Sequence, residues 1–502
     1  MADRIETSSD TPPAQWQFSS RLDAPPRYSA VFADPGEQIS TNAIPTNHEF
    51  VLHGGIFKPK PWATLRVFSR PSKVKQKHPI FFGGDNVTGE MKLKLGNQSI
   101  SSISILVECL NNFLKGLLVT SFRSDGGSYT FLEYTYNVWD KGDGDPRLSD
   151  GAAKNNFNGK LSGDVEFSFA FPFPPTVDLS SLPSNKGKGH RGSSAVYQTP
   201  QTFLDHNITS NIEYELVLLI THGPLRPDSK LKGRIWFIPQ ITPDPPSDMR
   251  QMAYREGALL PGPEADPEGW LPLPPLSIRG TVQQNKIIEL EYHLYLAKPL
   301  CYTRGTVIPC YLIISSADSR SLEILADSKL QYVRLARYIR YFDSPTKCVQ
   351  QTLQGKKPSF LEEIDEAELA VWWIPPKDVL QEPYCKRLEG EIHLAKELAP
   401  SSNFAPLSVE YYVEAMAFPS EIFKHCESSS GLKNVTDGFE TKILQSHPVT
   451  IATFNASGPP QVAYTPRQRP SLAHRKDDDG GIGFNRISGA KYGLGHSATL
   501  GI

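Results

Sequence analysis

Apolar side chains alternate with polar ones in many short stretches of this chain, and this alternation limits the folds it can adopt. Val165, Phe167, Phe169 and Phe171 alternate with a glutamate, a serine and an alanine. The same period of two recurs at 103–109, 212–220, 288–296 and 409–415. Because successive side chains on a β-strand point to opposite faces, this pattern buries one face and exposes the other. It predicts an all-β fold of antiparallel sheets packed face to face.

The prolines give the same indication and also divide the chain. There are 43 among 502 residues, more than the usual ~5%, and their spread excludes long helices. Ten lie between positions 239 and 275. We therefore expect the following organisation: a disordered segment at 1–27, a β domain at 28–240, a packed proline-rich connection at 241–275, a second β domain at 276–455 and a disordered tail at 456–502.

One segment of the second domain departs from the strand pattern. Acidic residues crowd the start of Phe360–Val371, as they do at helix N-termini, so we expect a helical turn or two there. Trp372 and Trp373 follow within an apolar stretch. We expect them to pack in the interior or on a domain face; the alternative is an exposed, partner-binding aromatic patch.

Charge argues against a nucleic-acid partner. The chain has 52 Lys and Arg against 54 Asp and Glu, a formal net charge of −2, whereas nucleic-acid binders usually carry a strong basic excess. Lys73, Lys75 and Lys77 form a local basic cluster with Arg66 and Arg70. An exposed loop between strands explains this cluster, and a contact with anionic lipid is the alternative.

Neither a metal site nor a secretory route is indicated. The six cysteines are scattered without a CxxC pair, which fits neither a disulfide framework nor zinc spacing. The N-terminus has no apolar signal core, and no stretch reaches ~18 uninterrupted apolar residues. We therefore expect a cytoplasmic protein.

Catalytic motifs are also missing from the sequence. It contains no HExxH, GxSxG or GxxxxGK[ST] pattern. Gly187, Gly189 and Gly192 match GxGxxG, but they lie in a polar, basic loop instead of between a strand and a helix. The sequence thus predicts a protein that is not an enzyme and needs no cofactor.

A short motif near the N-terminus does have a binding mechanism. Pro25, Pro26 and Tyr28 form a PPxY sequence. Adjacent prolines favour a polyproline II helix at low entropic cost, and WW domains bind such helices in an aromatic-lined groove. Alternatively, Tyr28 begins the first strand and packs inward.

Five segments share a further pattern of motifs: 81–110, 161–175, 211–220, 296–315 and 408–417, which include "GGDNVTGEMKLKL", "GDVEFSFAFPFPP", "IEYEL", "GTVIP" and "VEYYVEAMA". In this order they resemble the arrestin-like family, specifically its fungal branch related to α-arrestins. The resemblance covers about 28–455 and implies two immunoglobulin-like β-sandwich domains joined at a hinge. The loop at 184–206 departs from the compact family core.

The resemblance also implies a function. Members of this family link membrane-protein cargo to ubiquitination and endocytosis, and their PPxY motifs recruit WW-containing HECT-type ubiquitin ligases. By this reading, Pro25, Pro26 and Tyr28 bind the ligase, and the chain binds cytoplasmic tails of transporters or receptors at the plasma membrane or endosomes. The alternative is an arrestin-fold scaffold, or a retromer-like cargo-sorting protein, that recruits no ligase.

Overall fold

The structure, a computed structural model, describes most of the chain between positions 44 and 467. The described residues are 44–54, 60–71, 76–96, 100–113, 129–148, 157, 161, 163–179, 196–205, 208, 210–222, 226–282, 286–342, 351, 354–357, 359–375, 382–419, 422–426, 432–436 and 439–467. Strands dominate these residues and the two α-helices among them are short, so the fold is all-β as predicted.

Strands dominate the N-terminal part of the described chain, which also has a three-residue 3-10 helix at Lys141–Asp143. The strands are β1 (Thr46–Gly54), β2 (Lys60–Ser69), β3 (Ile80–Phe82), β4 (Asn86–Lys94), β5 (Ile100–Phe113), β6 (Tyr129–Asp140), β7 (Asp164–Pro172), β8 (Thr176–Asp178), β9 (Val196–Gln198), β10 (Ser210–His222) and β11 (Ser229–Ile238).

The C-terminal part adds the two helices and twelve further strands within the described residues. They are α1 (Asp248–Glu256), β12 (Trp270–Pro272), β13 (Leu276–Val282), β14 (Lys286–Ala297), β15 (Cys301–Thr303), β16 (Val307–Ser315), α2 (Ser319–Leu325), β17 (Val333–Phe342), β18 (Phe360–Trp373), β19 (Cys385–His393), β20 (Leu407–Met416), β21 (Lys424–His425), β22 (Leu432–Thr436) and β23 (Phe439–Ala452).

Two sheets make up most of the N-terminal part. One has the order β1-β2-β4-β7 and the other β3-β11-β10-β5-β6, while β8 pairs with β9. Aromatic rings connect the two larger sheets: Tyr136 of β6 lies 5.0 Å from Phe171 of β7, and Trp139 lies 6.4 Å from Phe167. The alternation in β7 has the predicted effect, since Val165, Phe169 and Phe171 are buried and the residues between them are exposed or half-buried.

The C-terminal strands form one hydrogen-bonded path that passes through β18. The order is β15-β23-β20-β17-β18-β19-β16-β14-β13-β21, with β12 on β14 and β22 on β23. Residues 360–369 of β18 pair with β17, whereas residues 370–373 pair with β19. The 14-residue strand therefore belongs to two parts of the sheet and connects them.

The expectation of helical turns at Phe360–Val371 is wrong, because this segment lies in β18. Its acidic residues meet arginines on β17 instead of a helix N-terminus. Glu362 pairs with Arg340 at 2.7 Å, and Asp365 pairs with Arg337. Oppositely charged residues on adjacent strands stabilise a pairing, so the charges fit this strand.

The proline-rich segment at 241–275 contains a helix that the sequence analysis did not foresee. Ser247 caps α1 by accepting a hydrogen bond from the backbone of Arg250, and Gly257 ends the helix with a φ of 65°. The side chain of Arg250 is 1% exposed and donates to the carbonyls of Lys298 and Gly269, each at 2.7 Å. Arg250 thus fixes the connection to the strands that follow.

In the sheet β1-β2-β4-β7, the packing around Gly89 leaves no room for a methyl group. A Cβ there would lie 2.2 Å from the carbonyl oxygen of Arg66 and 2.5 Å from the ring of Phe169. We expect Gly89→Ala to lower the free energy of unfolding by about 1–3 kcal/mol through overpacking. Gly142→Ala is the control, since its Cβ meets nothing closer than 3.4 Å. Urea unfolding measures both, and equal stability of the two variants would contradict this packing.

Candidate interaction sites

A buried ion cluster joins the N-terminal and C-terminal parts. Nη2 of Arg337, on β17, contacts Asp205 at 3.3 Å and also contacts Asp365 of β18. The side chains of Arg337 and Asp205 are 2% and 3% exposed, and that of Asp365 is 31% exposed. Burial by itself lowers the pKa of Arg337, but the surrounding Tyr411, Asp365 and Asp205 raise it overall. The guanidinium therefore stays charged in this contact between the two parts of the chain. The contact, made by Arg337, Asp205 and Asp365, is here called the joint.

The strand periodicity explains why Arg337 points into the joint. Leu335 and Ile339, two positions to either side of it on β17, are 0% and 1% exposed, so Arg337 shares their interior face. Arg334, on the opposite face, pairs with Glu414 at 2.9 Å. A spacing of three residues thus sends neighbouring arginines to opposite sides of the same strand.

Phe404 adds an apolar contact to the joint. It precedes β20 and is 0% exposed. Its ring lies 4.6 Å from that of Phe131 on β6 and 5.7 Å from that of Tyr197 on β9. A C-terminal side chain is therefore held between two N-terminal rings, and such aromatic pairs contribute about 0.5–1.5 kcal/mol each beyond their buried area.

A cleft of about 470 Å³ lies beside this joint and is lined from both parts of the chain. Its lining residues are Gln198, Thr199, Pro200, Pro239, Ile241, Ser401, Ser402, Asn403, Val409, Glu410, Tyr411, Tyr412, Pro448, Val449 and Thr450.

The polar groups of this cleft are engaged in structural hydrogen bonds. Ser401 Oγ accepts from the backbone of Ile451 at 2.8 Å, and the Tyr411 hydroxyl donates to a main-chain carbonyl at 2.7 Å. Glu410 is the one carboxylate among the described lining residues, and it accepts from the Tyr412 hydroxyl at 2.8 Å. Burial raises the pKa of Tyr411. These contacts hold the walls of the cleft in place.

The motif at Pro25, Pro26 and Tyr28 lies outside the described residues. The two readings of Tyr28, exposed for a WW domain or packed into the first strand, therefore both stay predictions. The GxGxxG segment at 187–192 also lies outside the described residues.

The basic cluster is only partly described, because Lys73 and Lys75 lie outside the described residues. Lys77 is exposed. Arg66 pairs with Glu49 at 3.0 Å, and Arg70 pairs with a neighbouring aspartate while its guanidinium lies 4.5 Å from the ring centre of Phe82. Both arginines thus pair with carboxylates, and the lipid contact stays a prediction.

Trp372 and Trp373 pack against their own sheet. Trp372 is 7% exposed and lies against Gly390 of β19. Trp373 donates its ring N–H to Glu389 at 3.0 Å, and its ring lies 5.9 Å from that of Tyr464. The packing expectation is confirmed for this pair, and Tyr464 belongs to a segment that the sequence analysis assigned to the tail.

The sequence analysis did not single out β6, which among the described residues is the last strand of its sheet. In the part of the chain that the structure describes, β6 pairs with β5 alone. Phe131 is buried at the joint, whereas Glu133, Thr135 and Asn137 are exposed. Edge position depends on the order of strands, so a local pattern does not show it.

Within the described residues, no three or more His, Cys, Asp or Glu side chains are grouped so as to hold a metal ion. Neither α1 nor α2 has the length and hydropathy that a membrane-crossing helix needs. No protein-family model matches the chain, and a search of curated proteins finds no match either.

Substitution of Arg337 tests the ion cluster. Arg337→Ala leaves two carboxylates at the joint without this cation, and we expect it to lower the free energy of unfolding by about 3–5 kcal/mol. Arg340→Ala is the matched control on the same strand, because Arg340 and its partner Glu362 are 41% and 40% exposed. We expect that control to lose less than about 1 kcal/mol. Urea unfolding of both variants decides the point: comparable losses would rule out a special role for the buried cluster.

His78, next to Lys77, gives the folded state a pH dependence. Burial and the charges of Arg234 and Lys77 lower its pKa from 6.5 to about 4. The unfolded chain therefore binds this proton first, and stability falls as the pH drops from about 6.5 to about 4. His78→Phe keeps an aromatic ring against Trp236, on which His78 stacks at 6.1 Å. We expect this variant to lose less stability than the wild type between about pH 7 and about pH 5 in urea unfolding; identical losses would refute the assignment.

Proposed function

We propose that this chain is a non-enzymatic adaptor of the arrestin-like type. On this proposal, residues 28–240 and 276–455 form two immunoglobulin-like β-sandwich domains joined at a hinge through 241–275. The support is the all-β architecture: two facing sheets precede the connection and a curled sheet of twelve strands follows it. The buried contact of Arg337 with Asp205 also supports the proposal, because it packs the part of the chain after the connection against the part before it.

The observation that carries the proposal is the open edge of β6. An edge strand presents unpaired N–H and C=O groups along one side, and an extended peptide adds to it through main-chain hydrogen bonds. Glu133, Thr135 and Asn137 lie exposed along this edge. We propose that cytoplasmic tails of membrane transporters or receptors pair with β6 as an extra strand.

The link to ubiquitination rests on the N-terminal motif. Pro25, Pro26 and Tyr28 would bind the WW domain of a HECT-type ligase while the folded part holds the cargo. The protein would then act at the plasma membrane or endosomes, with Lys73, Lys75 and Lys77 as a contact to anionic lipid. A sorting scaffold without a ligase would use the same edge but not this motif.

A WW-domain pull-down tests the adaptor reading. We expect the purified full-length chain to be retained on an immobilised WW domain from a HECT-type ligase and Tyr28→Ala to reduce that retention at least about tenfold, because the ring fills part of the groove. Pro459→Ala is the control: Pro459, Pro460 and Tyr464 lack the PPxY spacing, so this variant should bind like the wild type.

The outcomes separate the two functions. Equal retention of the wild type and Tyr28→Ala would remove the ligase link and favour the sorting scaffold. Both functions require the cargo tail to pair with β6 as an extra strand. Hydrogen exchange tests this step, because new main-chain hydrogen bonds should slow exchange in β6 when the tail is bound. Protection confined to other strands would overturn strand addition at this edge.

A further inference from the structure

Residues 461–467, here called the C-terminal strap, lie against the C-terminal sheet. The sequence analysis assigned them to a disordered tail, but the folded part continues at least to Arg467. Gln461 donates to the carbonyl of Val307 at 2.9 Å, and Arg467 forms an ion pair with Glu368 of β18. The strap therefore crosses from the start of β16 to β18.

A buried carboxylate anchors the middle of the strap. Glu391 of β19, whose side chain is 2% exposed, accepts hydrogen bonds from the backbone N–H groups of Tyr464 at 3.1 Å and Thr465 at 2.7 Å. The Thr465 hydroxyl also donates to Glu391. Since that hydroxyl has one proton, its 2.8 Å contact with Nε2 of His393 requires the imidazole to be the donor.

One side chain, Glu391, therefore accepts several of the hydrogen bonds that attach the strap. Three hydrogen bonds from the strap reach Glu391, and charge-assisted bonds of this kind are about twice as strong as neutral ones. A buried carboxylate that loses its donors is costly. Loss of the Thr465 contacts to Glu391 therefore weakens the attachment of the strap at its middle and leaves the contacts of Gln461 and Arg467 to hold its two ends.

Thr465 is followed by Pro466, the dipeptide that proline-directed kinases recognise. Three Thr-Pro pairs lie in the described part of the chain, at Thr199, Thr242 and Thr465. Thr199 is 0% exposed in the cleft wall, whereas Thr242 is exposed in the connection. Thr465 is half-buried, with exposed residues on both sides. Segments near the end of a folded region open at low cost, so a kinase can reach it.

We propose that Thr465 is a phosphorylation site at which a proline-directed serine/threonine kinase, using ATP, detaches the C-terminal strap. The Thr465 oxygen forms a bond to the γ-phosphorus of ATP, the bond from that phosphorus to the β,γ-bridging oxygen breaks, ADP leaves and the hydroxyl proton passes to the kinase.

The electrostatics at Thr465 favour release. The phosphate adds a charge of about −1.5 to −2 where the hydroxyl now donates to a carboxylate. The hydroxyl donor is lost, and the new negative charge lies next to the buried Glu391 carboxylate, which repels it. Arg467 is already paired with Glu368, and Nε2 of His393 already lies 3.1 Å from Oε1 of Glu391.

The test uses the purified full-length chain, a recombinant proline-directed kinase and ATP. Mass spectrometry locates the phosphate, and hydrogen exchange of the peptide covering 459–467 follows the strap. We expect phosphate on Thr465 and exchange in this peptide about ten- to a hundredfold faster, as loss of a hydrogen bond to a charged group implies. Thr199 is the internal control and should stay unmodified because it is buried.

Three variants separate modification from its effect. Pro466→Ala should block phosphorylation at Thr465. In the absence of the kinase, this variant should show the same exchange across 459–467 as the wild type. Thr465→Glu should speed exchange in the strap without a kinase, and Thr465→Val should do so less, since it removes the hydroxyl but keeps both backbone donors. The proposal is overturned if Thr465 takes no phosphate, or if Thr465 is phosphorylated and exchange across 459–467 does not change. Neither readout depends on cargo or ligase binding.

Discussion

The arrangement of this molecule depends on one buried cation placed between two acids. Arg337 contacts Asp205 and Asp365, which lie 132 and 28 positions away in the chain. Desolvation cancels much of the attraction within such clusters, but removal of one partner leaves a buried charge and is expensive. The cluster therefore selects one geometry for the joint more than it adds net stability. Apolar stabilisation comes from Phe404, which packs beside it between rings of β6 and β9.

The joint also covers one end of β6 and leaves the rest of the strand exposed to solvent. Phe404 covers Phe131, near the start of the strand, while the exposed residues at 133–137 lie beyond that contact. If the two parts of the chain rotated about the joint, Phe404 would cover a different length of the β6 edge. The conformation of β6 itself would stay the same. The edge to which we propose that peptides add is thus next to the contact between the two parts of the chain.

Local periodicity predicted the strands well because burial in a sheet follows a short-range rule. It failed where a distant partner decides the structure. The acids of β18 suggested a helix start, yet their partners are arginines about 20–30 positions earlier, on β17. Helix α1 was missed because prolines surround it, although Ser247 and Gly257 are recognisable caps. The C-terminal strap has a polar, glycine- and proline-rich context, and nothing near it in sequence indicates Glu391, more than 70 positions away.

The joint and the strap are held by the same kind of contact. In each, a buried carboxylate on one element holds groups that come from another element: Asp205 meets the guanidinium of Arg337, and Glu391 meets the backbone of Tyr464 and Thr465. Such contacts are strong only while water is excluded, because the attraction of charges falls steeply as the effective dielectric rises. They differ in their surroundings. Apolar packing encloses the joint, whereas the strap has exposed residues at both ends, so a single added charge acts selectively on the strap.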